Sequence, residues 1–113
     1  MRVIYTRAIF WADGFTVSPQ LVLIHPRRQG DAALIEHERV HCDQMRRFGA
    51  ATFWWRYATN RAFRLLMEVE GYQKEIAGGR SIESCARALS SRLYMLGLTE
   101  SQIREQLAKK EPS

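Results

Sequence analysis

The apolar residues change period along the chain. Arg2 to Ala12 is rich in Val, Ile, Tyr, Phe and Trp, and after Asp13-Gly14 the apolar character resumes over Phe15 to Ile24. Two such runs around an Asp-Gly dipeptide predict a β-hairpin. Pro19 removes a ladder donor, so the firm part of the second strand is Leu21 to His25, and the residues near Pro19 form an edge or bulge. His25 to Asp31 then has turn composition, with Asp31 placed to cap a helix.

Beyond Asp31 the period becomes helical. Leu34, Val40, Met45 and Phe48 follow helical spacing from Ala32 to Phe48, and Gly49 is a natural stop. Ala50 to Ala77 reads as one long or kinked helix with Phe53, Trp54, Tyr57, Leu65, Val69, Tyr72 and Ile76 on its apolar side. Asn60 is the place for an interruption, and Gly78-Gly79 closes the segment. A third helix from Ser81 to Leu96 carries Ile82, Cys85, Ala86, Leu89 and Leu93, and ends at Gly97. Thr99 with Gln102 forms a capping-box pattern for a short last helix holding Ile103 and Leu107. Lys109 to Ser113 reads as a frayed tail. The expected architecture is α+β, a single domain over residues 1–113: a short N-terminal antiparallel hairpin or sheet (1–25) packed on three to four helices (32–108).

Composition bounds this picture. At 113 residues, 46% apolar and 26% charged, the chain suits one globular core that folds without disulfides. Its longest strictly aliphatic run is Leu21 to Ile24, far short of the roughly 20 apolar residues of a membrane span. Thr6, Arg7 and Asp13 interrupt any leader-like apolar segment near the start, so no secretory signal is expected. Cys42 and Cys85 stand far apart with no CxxC pair and read as reduced thiols in a cytoplasmic protein. The net charge is +5, and 14 of the 17 basic residues are arginine. They are scattered, with no run beyond two and no nucleic-acid motif, so no nucleic acid is expected as a partner.

The chemistry concentrates in Ile35-Glu36-His37-Glu38-Arg39-Val40-His41, which contains H-E-x-x-H in mid-helix. Residues four apart are neighbours on a helix face, so His37 and His41 can converge on one ion at about 2.0–2.1 Å each. Glu38 lies about 100° around the wheel, where it can reach a water on the ion as general base without ligating. With three His and nine Glu in the chain, chance predicts about 0.006 such matches.

A catalytic zinc usually has a third protein ligand. Glu68 lies about 70° from the buried direction of its helix and Glu70 about 130°, which makes Glu68 the better inward ligand and Glu70 a supporting or surface residue. Gln44 shares a face with His41 and is a candidate to donate to Glu68 or orient a water. An oxyanion donor is also needed. Tyr57, Tyr72, Tyr94 and His25 are candidates among which the sequence does not choose, with His25 better explained as a solvated loop residue. Phe53 and Trp54 fit core or groove, Trp55 fits the surface, and Cys42 and Cys85 fit the core.

These residues resemble the gluzincin zinc metallopeptidases, particularly the minimal, single-domain ones. There an H-E-x-x-H helix is followed by a helix with a Glu ligand, often in a Glu-x-Glu-small pattern; here they are His37-Glu38-Arg39-Val40-His41 and Glu68-Val69-Glu70-Gly71. The likeness spans roughly residues 31 to 77. It implies zinc held between the first two helices by His37, His41 and Glu68, Glu38 as base, and an edge strand within Phe15 to His25 that pairs with a peptide or protein substrate. Where several such families carry an Asp four residues after the Glu ligand, this chain has Tyr72, which leaves the partner of the ligand histidines unidentified. The expected function is zinc-dependent peptide hydrolysis. The alternative is a non-catalytic zinc-binding module that acts by binding a protein.

Overall fold

The computed structural model describes residues 1–91 and 94–109. Among them are three strands, β1 (Arg2–Tyr5), β2 (Gly14–Ser18) and β3 (Leu21–Ile24), and five helices, α1 (Ala32–Phe48), α2 (Ala50–Thr59), α3 (Arg61–Ala77), α4 (Ile82–Leu89) and α5 (Glu100–Ala108). The architecture is α+β, as the pattern predicts. Leu93 and residues 110–113 of the tail lie outside the described residues.

The sheet corrects the expected pairing. Its order is β1-β3-β2, with β2 antiparallel to β3 and β1 parallel to β3. The hairpin therefore closes at Pro19-Gln20, with a bulge between Thr16 and Ser18, and not at Asp13-Gly14. Two forces explain this. Pro19 presets a turn backbone, and Asp13 is drawn away by ion pairs at 2.7 Å to Arg27 and Arg28. The link from β1 to β2 is anchored by Ile9, which is 1% exposed.

The helical boundaries follow local chemistry. The Asp31 carboxylate accepts from Leu34 N and starts α1, while Gly49, at φ 84°, ends it in a conformation that L side chains rarely adopt. Asn60 divides the long segment, and its side chain accepts from Phe63 N to begin α3. The Thr99–Gln102 capping box is formed in both directions. The third helix is shorter than expected. α4 ends at Leu89, and the Arg64 guanidinium holds Tyr94 O at 2.7 Å and Met95 O at 3.2 Å, drawing that stretch into an irregular path.

Among the described residues the core falls into three apolar clusters. Val22 and Ile24 of the sheet meet Leu34 and Cys42 of α1, Met45 meets Phe53, Phe63 and Met67, and Tyr72 joins α4 and α5. Helices α1 and α3 contribute to two clusters each, which fixes their mutual position and with it every polar group they present to one another. Among the described residues no helix is long and apolar enough to cross a membrane.

Candidate metal centre

His37 and His41, one turn apart on α1, face Glu68 on α3. All three are buried, at 3%, 7% and 4% exposure. Burying two imidazoles and a carboxylate is costly unless they are paired or hold an ion. Each offers one ligand atom, and the three atoms lie within 4.8 Å of one another. His37 Nε2 is 3.1 Å from His41 Nε2 and 3.1 Å from Glu68 Oε1, and His41 Nε2 is 2.8 Å from that oxygen. The corners of a tetrahedron with arms of about 2.0–2.1 Å stand about 3.3–3.4 Å apart. The triad fits a metal once it opens by a few tenths of an ångström. The expectation of a site between the first two helices becomes α1 and α3, because Asn60 makes α3 a separate helix.

Each histidine is gripped from behind. His37 Nδ1 lies 2.6 Å from Glu75 Oε2, and Glu75 Oε1 accepts from Arg80 at 2.8 Å. His41 Nδ1 lies 2.8 Å from Gln44 Oε1, and the Gln44 amide donates to Met67 O and to Glu70. Both acceptors favour the Nδ1–H tautomer, which leaves the Nε2 lone pairs for an ion. Glu75 is the residue the sequence reading missed. It follows Glu68 by seven positions, two turns, so both carboxylates lie within about 20° on one face. Gln44 acts on His41 through its amide oxygen and does not donate to Glu68, as its N–H groups are spent on Met67 O and Glu70. Glu70 supports Gln44 and approaches Arg47.

The charges are mutually adjusted. Burial pulls His37 down, but the hydrogen bonds it donates to Glu68 and Glu75 push it up to about 10. Burial pushes Glu68 up, and the attraction of His41 and the bonds from both histidines more than reverse this, holding it well below the usual carboxylate range. Tyr57 donates to Glu68 Oε2 at 2.6 Å, and burial together with that carboxylate keeps its hydroxyl protonated far above the ordinary range.

Two glycines make the approach possible. A Cβ on Gly71 of α3 would lie 2.8 Å from His37 Nε2, and one on Gly14 of β2 would lie 2.8 Å from Glu38 Oε1. The small residue after Glu70 therefore leaves room for the ligand itself.

Glu38 is 5% exposed, its Oε2 accepting from the Thr16 hydroxyl at 2.7 Å. A cavity of about 180 Å³ is lined by these three candidate ligands and by Glu38, Tyr57 and Tyr94. Among the four oxyanion candidates, these last two tyrosines face it. Tyr72 instead packs its ring edge-on against His37, centroids 4.5 Å apart, with its hydroxyl 2.7 Å from that of Tyr94. His25 caps a turn by accepting from Arg27 N. Trp55 is exposed, Phe53 buried, and Cys42 and Cys85 are buried thiols whose pKa burial raises, Cys85 to about 11.

Comparison of the chain with protein-family models, curated proteins and solved structures returns no match. Function is therefore read from the residues of the site, which is where function resides in any fold.

Proposed function

We propose that the chain is a zinc-dependent hydrolase of peptide bonds, of the minimal gluzincin type its motifs resemble. The observation that carries this reading is that Glu38, a carboxylate that is not among the clustered ligand atoms, lines the same cavity as His37, His41 and Glu68. A purely structural zinc is enclosed by four protein ligands, whereas a catalytic one has three and an open position. Among the described residues the cluster supplies three. Two neutral imidazoles and a carboxylate are the donor set that zinc takes in such enzymes.

When bound, zinc supplies Lewis acidity, lowering the pKa of a water toward about 7 and polarising the carbonyl to be cleaved. The remaining work belongs to the chain. Thr16 holds Glu38 Oε2 and so aims Oε1. Glu38 takes the proton of the attacking water and passes it to the leaving amine, the double duty of a general acid–base residue. Tyr94 lines the cavity, and its raised pKa keeps its hydroxyl protonated as a donor to a developing oxyanion, whereas the Tyr57 proton is spent on Glu68.

The test compares zinc content and peptidase activity of the wild type and Glu38→Ala. Both proteins are expected to bind one zinc, and only the wild type to cleave peptides. Equal activity in the two removes Glu38 from the mechanism. Stoichiometric zinc with no activity in either favours the binding-module alternative.

A further inference from the structure

The cavity beside the metal ligands has a one-sided lining. From His41 outward the rings run His41, Phe53, Trp54, Phe15, Trp11 and Phe10, with successive centroids 6.2, 5.3, 5.3, 5.8 and 5.3 Å apart. Phe53 is buried, whereas Trp11 is 46% and Phe10 82% exposed. The series thus leads from the metal ligands to solvent. Exposed large aromatics continuous with a pocket are what a binding surface, not a core, leaves uncovered.

No lysine or arginine lines this cavity among the described residues. Its carboxylates are already engaged, Glu38 by Thr16 and Glu68 by both histidines and Tyr57. An acidic side chain entering it would lose water, meet two carboxylates and find no lysine or arginine to pair with. On the other side of Trp11, Gly14 and Glu38 lies a second cavity of about 330 Å³, and Arg27, Arg28 and Arg80 line it. Polarity changes across Glu38. At about 180 Å³ the aromatic cavity is also smaller than the roughly 300–1,000 Å³ of sites that enclose a whole small ligand. It suits one side chain.

Building on the hydrolase reading above, we propose that this cavity is the specificity pocket of the site and takes one bulky apolar side chain, aromatic above all, from the peptide residue next to the bond that is cut. Phe15 and Trp54, stacked at 25°, form its wall, and Trp11 its mouth.

The experiment needs neither turnover nor metal. The protein, with and without zinc, is titrated with N-acetyl-phenylalanine amide and with N-acetyl-aspartate amide while the three indole N–H resonances are followed by NMR. The phenylalanine amide is expected to move the Trp11 and Trp54 signals and to spare Trp55, which is 71% exposed and does not line the cavity. Its half-saturation is expected about tenfold or more below that of the aspartate amide, the scale on which a hydrophobic pocket discriminates. In Phe15→Ser the gap narrows, and in Trp55→Ser it stays. Equal response to the two amides, or movement of Trp55 alone, overturns the assignment even if Phe15→Ser fails to fold. A protein that shows the preference yet hydrolyses nothing keeps the pocket and loses the hydrolase reading. One that cleaves peptides regardless of the neighbouring side chain, and binds both amides alike, does the reverse.

Discussion

His37 and His41 stand one turn apart on the same helix and point at the same carboxylate oxygen, yet the chain supports them with different chemistry. Behind His37 is an anion, Glu75, itself clamped by Arg80. Behind His41 is a neutral amide, Gln44, whose own donors are spent on Met67 O and Glu70. Both fix the ring and its tautomer, but only the carboxylate adds negative charge and so raises the basicity of the ring nitrogen that faces Glu68. The packing differs as well, because His37 lies against Gly71 and the edge of Tyr72 while His41 lies beside Phe53. One histidine is tuned electrostatically in a tight slot, and the other is held by an amide network.

The sharpest way to break the pair is Gly71→Ala. Its Cβ would meet His37 Nε2 at 2.8 Å, a distance that forces the imidazole to move, and nothing comparable exists on the His41 side. Stoichiometric zinc binding is expected to be lost, read by elemental analysis. The helix itself gains from Ala over Gly by about 0.5–1 kcal/mol, so circular dichroism should show helical content intact. Full zinc retention would mean that the slot is looser than its contacts imply.

Glu75→Gln comes next. It keeps the shape and removes the charge, and supporting residues of this kind typically contribute about 10–100-fold in metal affinity. The pH dependence gives the sign. Glu68 and Glu75 raise His37 to about 10, so at neutral pH zinc must displace a proton from it, and affinity falls as pH is lowered and rises toward pH 10. Without the Glu75 charge the proton is held less firmly. The variant should therefore bind zinc more weakly at high pH and depend less on pH, and calorimetry across pH 6 to 9 measures both. An unchanged slope would show that Glu68 alone sets the proton affinity.

The two supports also differ in how legible they were. Asp31, Asn60 and Thr99–Gln102 are local caps, so α1, α3 and α5 could be placed from sequence, and the H-E-x-x-H spacing with the wheel position of Glu68 picked out the three side chains that cluster. Gln44, three residues beyond His41, was visible as a neighbour although its partner was misassigned. Glu75 shares the face of Glu68, but it sits seven positions on, beyond the four-residue spacing at which a support is expected and where Tyr72 stands. The parallel pairing of β1 with β3 and the early end of α4 depend on contacts distant in sequence, Asp13 with Arg27 and Arg28, and Arg64 with Tyr94 and Met95. No local period carries such information.

On the amide side, Gln44→Ala is expected to act in the opposite proportion, with less effect on zinc and more on the fold. Gln44 is fully buried, and its loss strands His41 Nδ1 without a partner. Leaving such groups unsatisfied costs about 1–3 kcal/mol, which a denaturant titration of the metal-free protein resolves, while zinc affinity should fall by less than in Glu75→Gln.

The smallest effect belongs to Arg80→Met. Arg80 touches none of the clustered side chains; it holds Glu75 Oε1, donates to Ser84 Oγ at 3.1 Å and packs its guanidinium over the Tyr72 ring at 5.8 Å. Its side chain is 26% exposed, so water screens part of the pair and can replace it. Removing it leaves the Glu75 carboxylate on His37 less fixed but still charged. Zinc affinity should therefore drop only a few-fold, and the pH slope should remain that of the wild type. A loss as large as that of Glu75→Gln would make the arginine, not the carboxylate, the anchor of the His37 side, and the contrast between the two histidines would then be one of rigidity and not of charge.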